Sequence, residues 1–290
     1  MTGDYQLVQL AHGAKTLFSA SYGEKMHPGL GPQAEAELLY VRQLRMVERL
    51  QRHAGEFVVW DVGLGAAANA IAALRATREI PGRLRLVSFD KTEEPLEFAL
   101  QNGAALGYPA GYESQLGQLL RDQRVEFQNG RLAVTWEFIL GDFPELLSKS
   151  EIKNSRLPPA PDAVLYDPFS PAKNPAMWTL RLFENVFGVL DPRRPCALAT
   201  YSRSTLLRAT LLLAGFHVGA GEATGLKEET TIAANTPDLV PRPLDLRWLA
   251  RAARSDNAEP LREPAYRRRR LSPETLARLR RHPQFAADCH

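Results

Sequence analysis

The chain has 290 residues, 44% hydrophobic and 24% charged, ordinary globular usage that excludes a fibrous repeat and wholesale disorder. This length suits one large core with an extension, because single cores stop growing near ~250–300 residues. The formal charge of +3 is unevenly spread: residues 241–290 carry twelve arginines against six acidic residues, which leaves residues 1–240 mildly acidic.

Leu38, Val41 and Leu44 recur at a spacing of three after Pro32, which predicts one amphipathic helix over Gln33 to Gln51. Strands and helices then alternate. FVVWD (Phe57 to Asp61) reads as strand, Ala66 to Arg78 as helix, LRLVSFD (Leu84 to Asp90) as strand, Glu94 to Leu106 as helix, and VTWEFILGD (Val134 to Asp142) as strand. AVLYD (Ala163 to Asp167) is a strand, Met177 to Val189 a helix, PCALATY (Pro195 to Tyr201) a strand and Ser204 to Leu213 a helix. This alternation predicts an open α/β fold with parallel strands and right-handed crossovers. FHVGAG and ETTIAAN, separated only by a loop, predict an antiparallel hairpin at one sheet edge. Residues 1–53 then form an N-terminal segment with a covering helix, 54–240 the core and 241–290 a basic extension.

No apolar run approaches the ~18–20 residues of a membrane helix, and Met1 to Leu17 lacks the features of a secretory signal, so a cytoplasmic protein is expected. Cys196 and Cys289 are too few for a disulfide framework or a zinc site, and no metal is expected. The run Arg267-Arg268-Arg269-Arg270 is suited to tracking phosphates, although a solvated tail explains it more simply.

Acidic residues close four of the predicted strands: Asp61, Asp90, Asp142 and Asp167. In a parallel sheet the strand carboxyl ends share one rim, where ligands bind, so these carboxylates converge. Each alone is explained as readily by a cap or turn. After the first strand, Gly63 and Gly65 allow a tight turn and close approach to a ligand, with Asn69 in the helix behind. The spacing also satisfies G-x-G-x-x-A, which keeps a nicotinamide or flavin in view. Asp61 argues for S-adenosylmethionine instead, because a carboxylate there repels a pyrophosphate and suits a cationic amino-acid ligand. Asp90 would then take the ribose hydroxyls with Lys91 beside it. Asp142 would take the adenine amino group, with Phe143 stacking on the ring.

In order along the chain, TLFSASYGEKMHPGLGPQAEAELLYV, VVWDVGLGAAANAIAAL, LVSFDKTEEPL, ILGDFPELL, LYDPFSPAKNPAMWT and GLKEETTIAAN resemble the methyltransferase domain of MnmC-type proteins. The most specific piece is D-x-F-x-P-x-K-N-P-x-M-W, met here by Asp167, Phe169, Pro171, Lys173, Asn174, Pro175, Met177 and Trp178. The resemblance implies a Rossmann-like class I methyltransferase fold, with a mostly parallel seven-stranded sheet, an antiparallel C-terminal edge hairpin and helices on both faces. It also implies methyl transfer from S-adenosyl-L-methionine to the aminomethyl group of a tRNA wobble uridine, giving 5-methylaminomethyl-2-thiouridine.

On that reading the partner is the tRNA anticodon arm, the flavin oxidase half is missing, and a separate enzyme supplies the aminomethyl uridine. Asp167 would sit beside the target amine as the catalytic carboxylate, in a loop stiffened by Pro168, Pro171 and Pro175. Lys173 and Asn174 would face the substrate, Phe169, Met177 or Trp178 would wall the flipped-out base, and Tyr22 and His27 fall in the matching N-terminal block. The family commonly continues the two glycines with Thr-Gly, whereas this chain has Ala66-Ala67-Ala68. Three alternatives stand beside this reading: a methyltransferase for a small-molecule or protein amine, a nucleotide-binding homologue without catalysis, and a dinucleotide oxidoreductase.

Overall fold

The structure, a computed structural model, describes residues 3–148, 157–224 and 228–286. Cys289 and the first three residues of the GLKEETTIAAN block lie outside the described residues.

The chain opens with β1 (Tyr5–Gln9), β2 (Lys15–Ser19) and β3 (Glu24–Lys25), a small antiparallel sheet that the apolar pattern did not announce. Pro32 does start a helix, α1 (Pro32–Ala36), but the single helix expected to Gln51 is broken. It passes into a π-helical turn over Glu37–Arg42, turns at Arg45 with φ +50°, and resumes as α2 (Met46–Arg52). Buried polar partners explain the break. The wide turn lets Gln43 bond the hydroxyl of Thr230 at 2.9 Å and the carbonyl of Thr231 at 3.2 Å, while the Tyr40 hydroxyl donates to the Tyr166 carbonyl at 3.3 Å.

The core follows the alternation read from the sequence: β4 (Glu56–Val62), α3 (Ala68–Thr77), β5 (Gly82–Asp90), α4 (Glu94–Gln101), α5 (Gly103–Leu106), α6 (Glu113–Asp122), β6 (Arg124–Asn129), β7 (Leu132–Leu140), α7 (Phe143–Leu146) and β8 (Ala163–Tyr166). It continues with α8 (Leu180–Gly188), β9 (Ala197–Thr200), α9 (Thr205–Leu213), β10 (His217–Ala220) and β11 (Thr231–Ala234). The sheet holds eight strands, not seven, in the order β10-β11-β9-β8-β4-β5-β7-β6. The hairpin after Phe216 lies at one edge as expected, and the extra strand β6 pairs antiparallel with β7 at the other. Between them β9, β8, β4, β5 and β7 run parallel.

The run Phe57 to Trp60 of β4 is apolar on both faces because both are covered: Phe57 and Val59 enter one core cluster, and Val58, Trp60 and, past Asp61, Val62 the other. The second cluster also takes in the extension, which is folded rather than a solvated tail. Trp248 and Leu249 of α10 (Leu246–Ala252), Leu279 of α11 (Pro273–Arg280) and Phe285 of α12 (Pro283–Ala286) are buried in it. Among the described residues no helix is long and apolar enough to cross a membrane.

At the amino end of the sheet, buried Asp162 ties β8 to β4: its carboxylate accepts from Val58 N–H at 2.7 Å, from Nε and Nη2 along one edge of the Arg194 guanidinium, and lies 3.4 Å from His53. Asp162→Ala leaves that N–H and the cation without an acceptor, and should lower the unfolding free energy by about 3 kcal/mol in urea titrations. A loss below about 1 kcal/mol would show that water replaces the carboxylate.

Candidate active site

The carboxyl ends of β4, β5, β7 and β8 open into a cavity of about 800 Å³. Gly63, Gly65, Asn69, Asp90, Lys91, Asp142, Phe143, Asp167, Phe169, Asn174, Tyr22 and His27 all line it, so the structure gathers twelve of the residues picked from sequence into one place. Asp61, Lys173 and Trp178 are not in its wall. Trp178 is fully buried and donates its indole N–H to the Phe169 carbonyl at 2.8 Å, so it supports the loop instead of facing a base.

Gly63, at φ +93°, lies where a Cβ would come within 3.0 Å of the Asp167 carbonyl oxygen, so only glycine lets the two loops meet. Ala67, at the position where the family commonly has glycine, takes a left-handed φ of +62° before α3, so the backbone turn survives that departure. The Asp90 carboxylate accepts from Gly65 N–H at 2.8 Å and Lys91 N–H at 2.7 Å. Burial pushes its pKa up, and these N–H groups and that of Thr92 pull it back. Asp142 caps α7 and pairs with the exposed Lys91 ammonium at 3.1 Å, while the Phe143 ring packs on Phe89 at 5.0 Å.

Asp61 is one residue short of the end of β4 and wholly buried. One of its oxygens accepts from the Ser88 hydroxyl at 2.8 Å, and that hydroxyl in turn accepts from the Trp136 indole at 3.0 Å. The other oxygen, Oδ1, is buried with no partner. Burial, opposed by the Ser88 bond and reinforced by the charges of Asp167 and Asp90, raises its pKa to about 8. A buried acid with an unanswered oxygen behind a glycine turn fits a cationic ligand, and together with the Asp90 end of β5 it fits S-adenosylmethionine.

At the other end of the cavity His27, Asn69 and Asp167 form one cluster. The Asn69 amide donates to Asp167 Oδ2 at 2.8 Å, and His27 Nε2 lies 3.1 Å from Asn69 Oδ1 and 3.2 Å from Asp167 Oδ2. Both ends of the Asn69 amide are thus engaged in orienting Asp167. Burial alone would lower the His27 pKa, but the bond to Asp167 and the charges of Asp167 and Glu35 raise it to about 9. The imidazole is therefore a cation at neutral pH.

Three contacts were invisible in the sequence. Glu24 of β3 accepts from the Ser170 N–H at 3.1 Å and from its hydroxyl, Tyr22 stacks on Phe169 with ring centres 4.0 Å apart, and the Tyr201 hydroxyl donates to the Pro168 carbonyl at 3.0 Å. The first two join residues more than 140 apart in sequence, for which no local pattern exists. Among the described residues no group of three or more His, Cys, Asp or Glu is placed to hold a metal.

A family model described as S-adenosyl-L-methionine-dependent methyltransferase matches residues 110–236. Over that part, and in the fold and cavity above, the chain is similar to the S-adenosylmethionine-dependent methyltransferases. Within them the chain is related to the MnmC proteins. The tRNA 5-methylaminomethyl-2-thiouridine biosynthesis bifunctional protein MnmC of Aeromonas hydrophila is 29% identical over 255 residues, covering 83% of this chain and 37% of that protein. The protein of the same name from Ralstonia nicotianae is 32% identical over 232 residues, covering 76% and 33%. The chain thus spans about a third of the length of these relatives. The crystal structure of MnmC2 from Aquifex aeolicus superposes with a TM-score of 0.67 at 25% identity, covering 96% of this chain and 83% of that one.

Two pH dependences follow. Asp61, with a pKa near 8, is held neutral at pH 7, and a cationic ligand favours its ionised form, so binding should release a proton and tighten as pH rises toward 8. Calorimetry of S-adenosylmethionine, the sulfonium cation, in two buffers of different ionisation enthalpy should show that release, and Asp61→Asn should abolish it; equal release from the variant would refute the assignment. His27 titrates near 9 in the fold against about 6.5 unfolded, so its stabilising contribution is complete below pH 6.5 and fades as pH rises through 9. Asp61, raised from 3.8 to about 8, acts in the same direction between those values and so supplies part of the fall up to pH 8. His27→Gln should therefore flatten the fall in unfolding free energy between pH 6.5 and 9 and leave the part below intact.

Proposed function

We propose that the chain methylates the aminomethyl nitrogen of a tRNA wobble uridine, with residues 54–240 as the catalytic core, 1–53 as its cover and 241–290 as an extension. The observation that carries this is the single cavity that brings the glycine turn and Asp90 together with the Asp167 cluster. Bound S-adenosylmethionine supplies an electrophilic methyl carbon on a sulfonium.

The chain's own residues do the rest. Asp167, paired with the His27 cation and oriented by Asn69, accepts a hydrogen bond from the substrate ammonium, takes up its proton and leaves the nitrogen lone pair aimed along the line of attack. Pro168, Pro171 and Pro175 and the bonds from Glu24 and Tyr201 fix the loop beforehand, so little ordering remains to be done on binding, and near-attack geometry is the main source of rate. The stacked Tyr22 and Phe169 rings offer a flat apolar wall to a flipped-out pyrimidine. The preceding step, on the same nucleoside, must install the aminomethyl group, and a separate enzyme does so. Such a protein works where tRNA is, in the cytoplasm.

The test is transfer of labelled methyl from S-adenosylmethionine to tRNA from cells lacking the modification. Wild type should label the wobble nucleoside, and Asp167→Asn should be slower by roughly 10²–10⁴-fold with S-adenosylhomocysteine affinity retained. No label from a wild type that binds S-adenosylhomocysteine would sink the substrate assignment, and full activity in the variant would sink the role of Asp167.

A further inference from the structure

The basic run near the C-terminus is not loose. Residues 262–270 form a loop closed at its base on both sides. Glu259 accepts from the Ser272 N–H at 2.8 Å and the Thr275 hydroxyl at 2.7 Å, and the carbonyl of Arg269 accepts from the N–H groups of Ala258 and Glu259 at 2.8 and 3.0 Å. The Asn257 amide donates to the Tyr266 hydroxyl at 3.0 Å. Arg262, Arg267, Arg268, Arg269 and Arg270 are all exposed, and Arg270 is held by Asp256 at 2.5 Å. Among the described residues no ion pair joins the other four to a carboxylate. Sequence-adjacent cations held apart from acidic partners by a folded base are kept for something outside the chain.

Their position says what. Leu261 forms a parallel bridge with Thr179, and its carbonyl accepts from Leu180 N–H at 2.8 Å. Thr179 caps α8 at the carboxyl edge of the sheet, two residues beyond Met177, which lines the cavity. The first residue before the loop is therefore pinned to the start of α8, two residues along the chain from the cavity wall.

We propose that the 262–270 loop is a preformed docking surface for the phosphate backbone of the substrate RNA, gripping nucleotides outside the one that enters the cavity. This rests on the RNA reading above. The body is mildly acidic, so it cannot by itself hold a polyanion at the rim, and the loop supplies the attraction that it lacks. Because the guanidinium groups meet phosphates rather than base edges, the loop adds affinity without choosing sequence.

The experiment compares the full chain with a variant carrying Arg262→Gln, Arg267→Gln and Arg268→Gln, which spares Arg269 and Arg270, whose carbonyl and ion pair fix the loop. Binding to tRNA across a salt series should weaken tenfold or more. The slope of log affinity against log salt should become shallower by about 0.9 for each phosphate that the variant no longer neutralises, hence by about 2–3. KM for tRNA should rise with kcat unchanged, S-adenosylhomocysteine affinity should stay as in wild type, and lysines at the three positions should restore the slope. Protection of the same arginines in wild type from phenylglyoxal by tRNA is an independent measurement that needs no variant to fold. If the glutamine variant binds tRNA with an unchanged slope while wild type methylates it, the docking surface is refuted and the RNA reading stands. If wild type neither binds nor methylates tRNA, both fall, and loop-dependent binding to vesicles of anionic phospholipid would assign the loop to a membrane instead.

Discussion

The site depends on one close approach, between the backbone after β4 and the backbone after β8. The space beside Gly63 is filled by the carbonyl of Asp167, Asp167 N–H donates to the Val62 carbonyl at 2.9 Å, and the N–H groups of Gly63 and Leu64 both reach back to Phe89 of β5 at 3.0 Å. Three neighbouring strands are thereby locked at their carboxyl ends. The turn that would hold a methyl donor and the loop that would hold its acceptor become parts of one rigid object. Methyl transfer asks for little more than correct placement of two atoms, so a fold that fixes these two loops to each other has done most of what the chemistry requires.

The N-terminal hairpin completes the enclosure from the far side. It meets the site through Glu24 on Ser170, Tyr22 stacked on Phe169, and His27, just after it, on Asp167 and Asn69. Each lands on the proline loop or on the helix behind the glycine turn, so the cover reads the same geometry that the strands impose. His27 is held in a left-handed conformation, φ +51°, to reach its partners, and Glu35 steadies the turn that follows by accepting from the N–H groups of Gly29 and Leu30. The π-helical turn serves the same end, because it aims Tyr40 at the carbonyl of Tyr166, directly before Asp167.

The parallel core was legible because its signals are local: apolar runs of strand length, breaker-free helices and an acid near each strand end. Asp90, Asp142 and Asp167 line the cavity at the strand ends, and Asp61 differed in standing inside its strand, buried and outside the cavity wall. What failed to show was non-local. β6 does alternate, with Val125 buried between exposed Arg124 and Glu126, but it is a short run directly after α6, and its place beside β7 is set by pairing and not by composition. Trp178 matched a motif by identity, yet its side chain is directed inward by the indole bond to Phe169, and sequence carries no sign of side-chain direction in an irregular loop. The break in the N-terminal helix came from Gln43, whose partners lie nearly 190 residues away.

The distribution of charge closes the argument. Inside the cavity, burial works against ionisation, so Asp61 is pushed toward its neutral form, and Asp167 is paired with a histidine cation that the same burial would otherwise discharge. Such a pocket favours ligands that bring their own positive charge, and a sulfonium with an amino group and an alkylammonium acceptor both do. A polyanionic carrier attached to that acceptor is repelled by the same carboxylates. On the proposed reading the chain separates the two demands in space, with carboxylates within the sheet rim and arginines on a separate folded loop, so that an amine and the phosphates of its carrier would be met at once by surfaces of opposite sign.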